Sequence, residues 1–122
     1  MSYRRILRAL SSLTAEEENA LFDLFMWSFG GRHLLSYYTI QDYQNSNWYD
    51  YDILDSLEEK GLIKQFHWPP GELIIALTSL GRKVGYMVAT RRRRGRPPTK
   101  RDFESYMGVF RPPPADIDVS RL

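Results

Sequence analysis

The chain has 122 residues, of which 43% are hydrophobic, and a formal net charge of +2 at pH 7. This length suits one domain with an extension. Because the chain has no cysteine, a disulfide framework, a thiol nucleophile and a cysteine-based zinc site are excluded. No apolar run has the length of a membrane span, so we expect a soluble intracellular protein without membrane contact.

The charges divide the chain into two unequal parts. Residues 1–90 hold 8 Lys/Arg and 11 Asp/Glu, for a net charge of −3, whereas residues 91–122 hold 9 and 4, for a net charge of +5. We therefore predict a folded domain over 1–90, followed by a basic segment and Pro-rich tail over 91–122. Any attraction for nucleic acid is expected mainly in the second part.

Two helices are predicted near the N-terminus. Apolar residues at helical spacing over 3–10 indicate a short amphipathic helix. Thr14 and Glu17 have the spacing of a capping box, which predicts that a second helix begins at residue 15. This helix is expected to reach about residue 29, and its wide apolar face indicates a central core helix. A short extended segment is expected to follow over 33–38.

A third helix is predicted over about residues 48–60. Ile53, Leu54 and Leu57 recur at helical spacing and are expected to face the core. Gly61 stands where a left-handed residue commonly ends a helix, with Leu62 packing back against it.

A β-hairpin and a fourth helix come next. Strand-forming residues over 62–68 and 72–77 flank Pro69-Pro70-Gly71, a turn sequence, and this pattern predicts two antiparallel strands. Thr78 is expected to cap a last helix whose apolar residues recur at helical spacing as far as Val88. After Thr90 the composition changes abruptly to Arg, Gly and Pro.

This order of elements resembles a winged helix-turn-helix protein over about residues 15–90. The stretch YDILDSLEEKGLI at 51–63 resembles the recognition helix running into the wing, and LTSLGR at 77–82 resembles the wing exit of MarR-like and PadR-like regulators. The resemblance implies an α+β fold, a winged helix-turn-helix with N-terminal helices, one β-hairpin wing and an extended basic C-terminal tail. A helical bundle with an incidental hairpin is the alternative.

The third helix departs from its usual role in that family, which is to read the DNA major groove. Its outer face is predicted to carry three carboxylates, which repel phosphates. We interpret this face as a protein interface or as a solvated surface. Trp68 at the wing tip is either a partner anchor or a core residue, and an apolar stripe in the tail is a further docking candidate. The interface candidates are Trp48, Asp52, Asp55, Glu59, Trp68, Phe103, Tyr106 and Phe110.

Residues 91–101, RRRRGRPPTKR, contain six arginines. The core Arg94-Gly95-Arg96-Pro97 resembles an AT-hook, a short extended segment that lies in the minor groove of A·T-rich DNA. Arginine in a narrow groove and a glycine that permits close approach are physically suited to that role. A basic linker without base preference is the alternative. The predicted nucleic-acid-binding residues are Arg91, Arg92, Arg93, Arg94, Gly95, Arg96, Pro97, Lys100 and Arg101.

These patterns favour a small DNA-associated regulatory or architectural protein. The alternatives are a non-enzymatic adaptor in a larger assembly, such as a virion or ribonucleoprotein, and an inhibitor that binds an enzyme through the acidic helix. We expect no catalytic residues, metal, cofactor or small-molecule substrate, because the sequence lacks the corresponding motifs. The expected partners are A·T-rich DNA and a protein partner or second copy, in the cytoplasm, on nucleic acid or in a viral particle.

Overall fold

The computed structural model describes residues 2–36, 51–68, 72–96 and 99–101, and within these ranges it has four helices and three strands. The fold is α+β, with a small antiparallel sheet, and its element order is compatible with a winged helix. In chain order the elements are α1 Tyr3–Ser11, α2 Ala15–Trp27, β1 Leu35–Ser36, α3 Tyr51–Glu59, β2 Ile63–Trp68, β3 Glu72–Leu77 and α4 Ser79–Arg94.

The three strands form a sheet in the order β1-β3-β2. The predicted hairpin is confirmed, because β2 and β3 pair antiparallel with Ile63 opposite Leu77 and Trp68 opposite Glu72. Strand β1 lies on the other edge of β3, with Leu35 opposite Ile75. Both residues of that pair are buried, so the sheet contributes one face to the core.

The N-terminal ends of α2 and α4 are formed by the caps that the sequence predicts. Thr14 Oγ1 accepts from Glu17 N at 3.1 Å, and Glu17 Oε1 accepts from Thr14 N at 2.8 Å, which completes the capping box. Thr78 Oγ1 accepts from Gly81 N at 3.0 Å. Helix α2 is two residues shorter than predicted and ends at Trp27.

The junction between α3 and β2 is also as predicted. Gly61 has φ +77°, and the amides of Gly61 and Leu62 donate to the carbonyls of Glu58 and Leu57 at 2.9 and 3.0 Å. Leu62 is fully buried. This is the left-handed helix ending that glycine permits.

The residues that resemble a wing exit hold α4 against this junction. Thr78 Oγ1 donates to Gly61 O at 2.6 Å, and Thr78 N donates to Leu62 O at 3.1 Å. A Cβ added at Gly81 would lie 1.8 Å from Leu62 O. Arg82 is 3% exposed and donates from Nη1 to Leu77 O at 3.2 Å. The LTSLGR pattern is therefore explained by packing within this fold.

The core lies between the helices and one face of the sheet. Leu54 and Leu57 of α3 face inward as predicted and are fully buried. Helix α4 packs against both α1 and α2. The other fully buried large side chains are Ile6, Leu21, Leu24, Leu62, Ile63, Ile75, Val84, Met87 and Val88. Within the described ranges, no helix combines the length and apolar character needed to cross a membrane.

Candidate nucleic-acid interface

The predicted start of the extended tail at residue 91 is wrong, because α4 continues through Arg94. Gly95 follows as a left-handed cap with φ +68°, and its amide donates to Arg91 O at 2.8 Å. Arginine is a good helix former, and positive charge in the last turn interacts favourably with the helix dipole. Arg94 and Gly95 therefore form a helix end, whereas the AT-hook interpretation expected an extended strand there.

Two of the predicted DNA-binding arginines contact α2. Arg91 forms an ion pair with Glu18, and Arg92 donates to Asn19 Oδ1. The Arg92 guanidinium also lies over the Phe22 ring, with Cζ 4.5 Å from the ring centroid, in a cation–π arrangement. Arg91 and Arg92 thus help to hold α4 against α2, a role the sequence interpretation did not assign to them.

Five further basic side chains are exposed at and beyond this end of α4. We call them the basic cluster; they are Arg93, Arg94, Arg96, Lys100 and Arg101. Exposed guanidinium and ammonium groups at this density are suited to contacts with phosphate, which need charge but little fixed geometry. Pro97 lies outside the described residues.

The acidic outer face of α3 is confirmed as exposed at Asp52, Asp55 and Glu59. Asp55 has an internal role as well, because its Oδ1 accepts from Gln65 Nε2 at 2.9 Å. The neighbouring Glu58 accepts from the backbone amide of Gln65 at 2.7 Å. These carboxylates join α3 to β2 and give the helix a surface that repels phosphate. Trp48 lies outside the described residues.

A buried ionic cluster between α2 and α3 was missed by the sequence interpretation. Glu17 is 4% exposed, and its carboxylate accepts from Ser56 Oγ and from Lys60 Nζ, the latter at 2.9 Å. Burial by itself raises the pKa of Glu17, but the hydrogen bonds from Lys60, Ser56 and Thr14 outweigh it and lower the pKa to about 2. The sequence signal was present only as the capping box.

An apolar groove lies between α2 and α4 beside the basic cluster and has a volume of about 530 Å³. Its α2 wall includes Met26, which is 51% exposed. Arg92 and Arg93 lie at the α4 wall. The lining residues are Phe22, Phe25, Met26, Tyr86, Ala89, Thr90, Arg92 and Arg93.

The remaining predicted interface residues are not placed by the structure. Trp68 ends β2, but its side chain is outside the described residues, as are Phe103, Tyr106 and Phe110.

His33 makes an edge contact with the ring of Phe29, with centroids 5.3 Å apart. In the described part of the chain, no group of three or more His, Asp or Glu side chains is placed to hold a metal ion.

Comparison with known proteins gives no match to a protein-family model, a curated protein or a solved structure.

Proposed function

We propose that this chain is a small, non-enzymatic nucleic-acid-associated protein that contacts phosphates through the basic cluster. The observation that carries the proposal is that five exposed basic side chains occur within residues 93–101, at the end of α4 and just after it in the chain. Each such contact releases counterions from the nucleic acid, and the summed effect is a large part of binding free energy. The α3 face is a weaker candidate because its exposed side chains are acidic.

In this proposal the folded domain is a winged helix whose third helix does not bind the DNA major groove. Helices α1–α3 with the β2–β3 hairpin would serve as a scaffold that presents α4. The two arginines that contact α2 would fix the direction in which the helix end points. DNA is the proposed nucleic acid, and A·T-rich duplex is the proposed target.

The proposed preference for A·T-rich DNA comes from Arg94-Gly95-Arg96. To lie in a minor groove as an extended strand, this tripeptide must leave the helix end, which breaks the hydrogen bond from Gly95 N to Arg91 O. A single exposed hydrogen bond of this kind contributes about 1 kcal/mol. A specific base contact contributes about 1–3 kcal/mol, so the contacts of two arginines in a narrow groove would offset that loss.

The test is a variant in which the basic cluster is neutralised while Arg91 and Arg92 are retained. Its substitutions are Arg93→Gln, Arg94→Gln, Arg96→Gln, Lys100→Gln and Arg101→Gln. Duplex affinity is measured by fluorescence anisotropy across a salt series. If all five side chains contact phosphates, the slope of log affinity against log salt should fall in magnitude by about 4.5.

The matched control removes five exposed basic charges elsewhere and so has the same net charge. Its substitutions are Arg4→Gln, Arg5→Gln, Arg8→Gln, Arg32→Gln and Lys64→Gln. The control should keep most of the affinity and slope. Equal losses in the two variants would show that binding follows net charge alone and would refute the assigned interface.

A charge-conserving variant tests base preference separately. Arg94→Lys with Arg96→Lys keeps every charge but removes the planar, forked guanidinium. For a minor-groove contact, binding to A·T-rich duplex should weaken by about 1–3 kcal/mol more than binding to G·C-rich duplex. Equal weakening of binding to the two duplexes would refute the minor-groove contact and would leave phosphate contacts as the basis of binding.

An adaptor in a larger assembly is the second candidate, favoured by exposed apolar side chains near the end of α2. Met26 is 51% exposed and Phe29 is 72% exposed. If the neutralised variant binds duplex as the parent does while a protein partner is captured in a manner that depends on Phe29, the adaptor function replaces the nucleic-acid function.

A further inference from the structure

The groove between α2 and α4 is a feature of the described surface to which the proposed function assigns no occupant. Its volume of about 530 Å³ falls within the ~300–1,000 Å³ typical of binding pockets. Phe22 and Met26 line its α2 wall, and Tyr86 and Ala89 line its α4 wall. Covering these side chains would remove apolar surface from water, which is favourable.

The groove has a charged border that restricts what can cover it. Arg93 is exposed at the α4 wall, and Arg92 lies over the Phe22 ring. An occupant with an apolar face and acidic residues beside that face would match both features. A basic occupant would be repelled.

A segment of this chain has that combination. We propose that residues 103–110 bind in the α2–α4 groove as an amphipathic helix. Phe103, Tyr106, Met107 and Phe110 follow the spacing by which a helix presents one apolar face to a groove. Asp102 and Glu104 are the charged residues over 102–110, and they complement the two arginines at the border.

The length of the connection allows this docking within one molecule. The groove residues of α4 extend from Arg93 back to Tyr86, a distance of about 11 Å along a helix. Lys100 and Arg101 have helical backbone conformation, and the five residues from Gly95 to Thr99 span up to about 16 Å when extended. Segment 103–110 can therefore return along α4 to any part of the groove.

Intramolecular docking would also stabilise a helix in so short a segment. An isolated helix of this length is not stable in water, and Gly108 disfavours it further. A tether of a few residues gives the segment a local concentration in the millimolar range. Segment 103–110 therefore outcompetes a dilute external partner of equal intrinsic affinity. The docked segment would fix both ends of residues 96–101, which goes beyond the proposed function.

Disulfide trapping in the full chain tests the proposal directly, because the natural sequence has no cysteine. The variant carries Met26→Cys in the groove and Met107→Cys on the apolar stripe. A first control pairs Met26→Cys with Ser105→Cys, which a helix would direct away from that stripe. A second pairs Asp52→Cys on α3 with Met107→Cys. Position 26 follows Glu17 by nine residues, which at 100° per residue is two and a half helical turns. It therefore lies on the side of α2 opposite Glu17, the residue that contacts Ser56 of α3.

We expect the disulfide between positions 26 and 107 to form within the monomer at least tenfold faster than either control pair, at a rate independent of protein concentration. Disulfide-linked dimers that increase with concentration would show that a second copy occupies the groove and would overturn the proposal. Equal rates for the stripe pair and the controls would overturn it too. If the position 26 substitution unfolds the protein, as checked by circular dichroism, Arg93→Cys replaces it on the opposite wall with the same criteria.

Discussion

Replacing Glu17 by glutamine should destabilise the protein strongly, and the loss should depend on pH in a defined way. Glutamine has nearly the shape of the glutamate side chain but no charge, so it resembles the protonated carboxyl group. It would still accept a hydrogen bond from Thr14 N, yet it would lose the charge-assisted bonds from Lys60 and Ser56.

The lowered pKa of Glu17 gives the magnitude. A change from 4.5 to about 2 corresponds to about 3 kcal/mol between the charged and uncharged forms in the folded state. This is an upper figure, because Lys60 Nζ keeps a second partner at Ser12 O, 2.7 Å away. Domains are typically stable by about 5–15 kcal/mol, so a loss of about 2–3 kcal/mol is large but leaves a folded protein.

The pH dependence follows from the sign of the shift. Because the folded-state pKa is lower than the unfolded value, the carboxylate stabilises the fold fully above about pH 4.5, and this contribution is lost as the pH falls towards about 2. The parent and Glu17→Gln proteins should therefore differ most at pH 7. The difference should shrink between pH 4.5 and 2 and nearly vanish at the lower limit.

The assay is urea denaturation followed by tryptophan fluorescence and circular dichroism at pH 7, 4.5 and 2.5. Glu16→Gln is the matched control, because Glu16 is exposed in the same helical turn. Its effect should stay below about 0.5 kcal/mol at every pH. A destabilisation by Glu17→Gln that is the same at all three pH values would refute the ionic explanation and point to lost packing.

Two further substitutions test the junctions that position α4. Gly81→Ala should destabilise the fold more than Gly61→Ala in urea denaturation. A Cβ at position 81 would meet the backbone of Leu62, whereas a Cβ at position 61 would have no neighbour within 4 Å. At position 61 the cost is therefore only that of the left-handed conformation, about 1–2 kcal/mol. Equal losses would show that α4 shifts away from Leu62 easily. Gly95 also has a left-handed φ of +68°, and a Cβ there would have no neighbour within 4 Å. Gly95→Ala would therefore strain only the end of α4. It should speed amide hydrogen exchange in the last turn of that helix while leaving the global free energy of unfolding nearly unchanged. A global loss equal to that at Gly61 would contradict this local role.

The elements that the sequence determines are those fixed by residues close together in the chain. The capping box at Thr14, the left-handed ending at Gly61, the hairpin and the cap at Thr78 each depend on side chains within a few positions of one another. Their hydrogen bonds are local, so the pattern of residue types is sufficient to predict them.

The end of α4 shows how a local signal can be read in two ways. Arg94-Gly95 fits both a helix C-terminus and a minor-groove hook, because glycine satisfies the backbone requirement of each. The contacts of Arg91 and Arg92 with α2 favour the helix. The bond from Arg92 to Asn19 joins residues 73 positions apart, a proximity that no local pattern contains.

The sequence by itself therefore determined the α+β class, the order of the elements and the separation of acidic and basic charge. Tertiary structure alone decided that Glu17 is a buried ion joined to Ser56 and Lys60, which lie 39 and 43 positions further along the chain. It also formed the groove between α2 and α4. The physical reason is that burial and ion pairing depend on which helix faces pack together, and those faces are brought into contact only when the whole core forms.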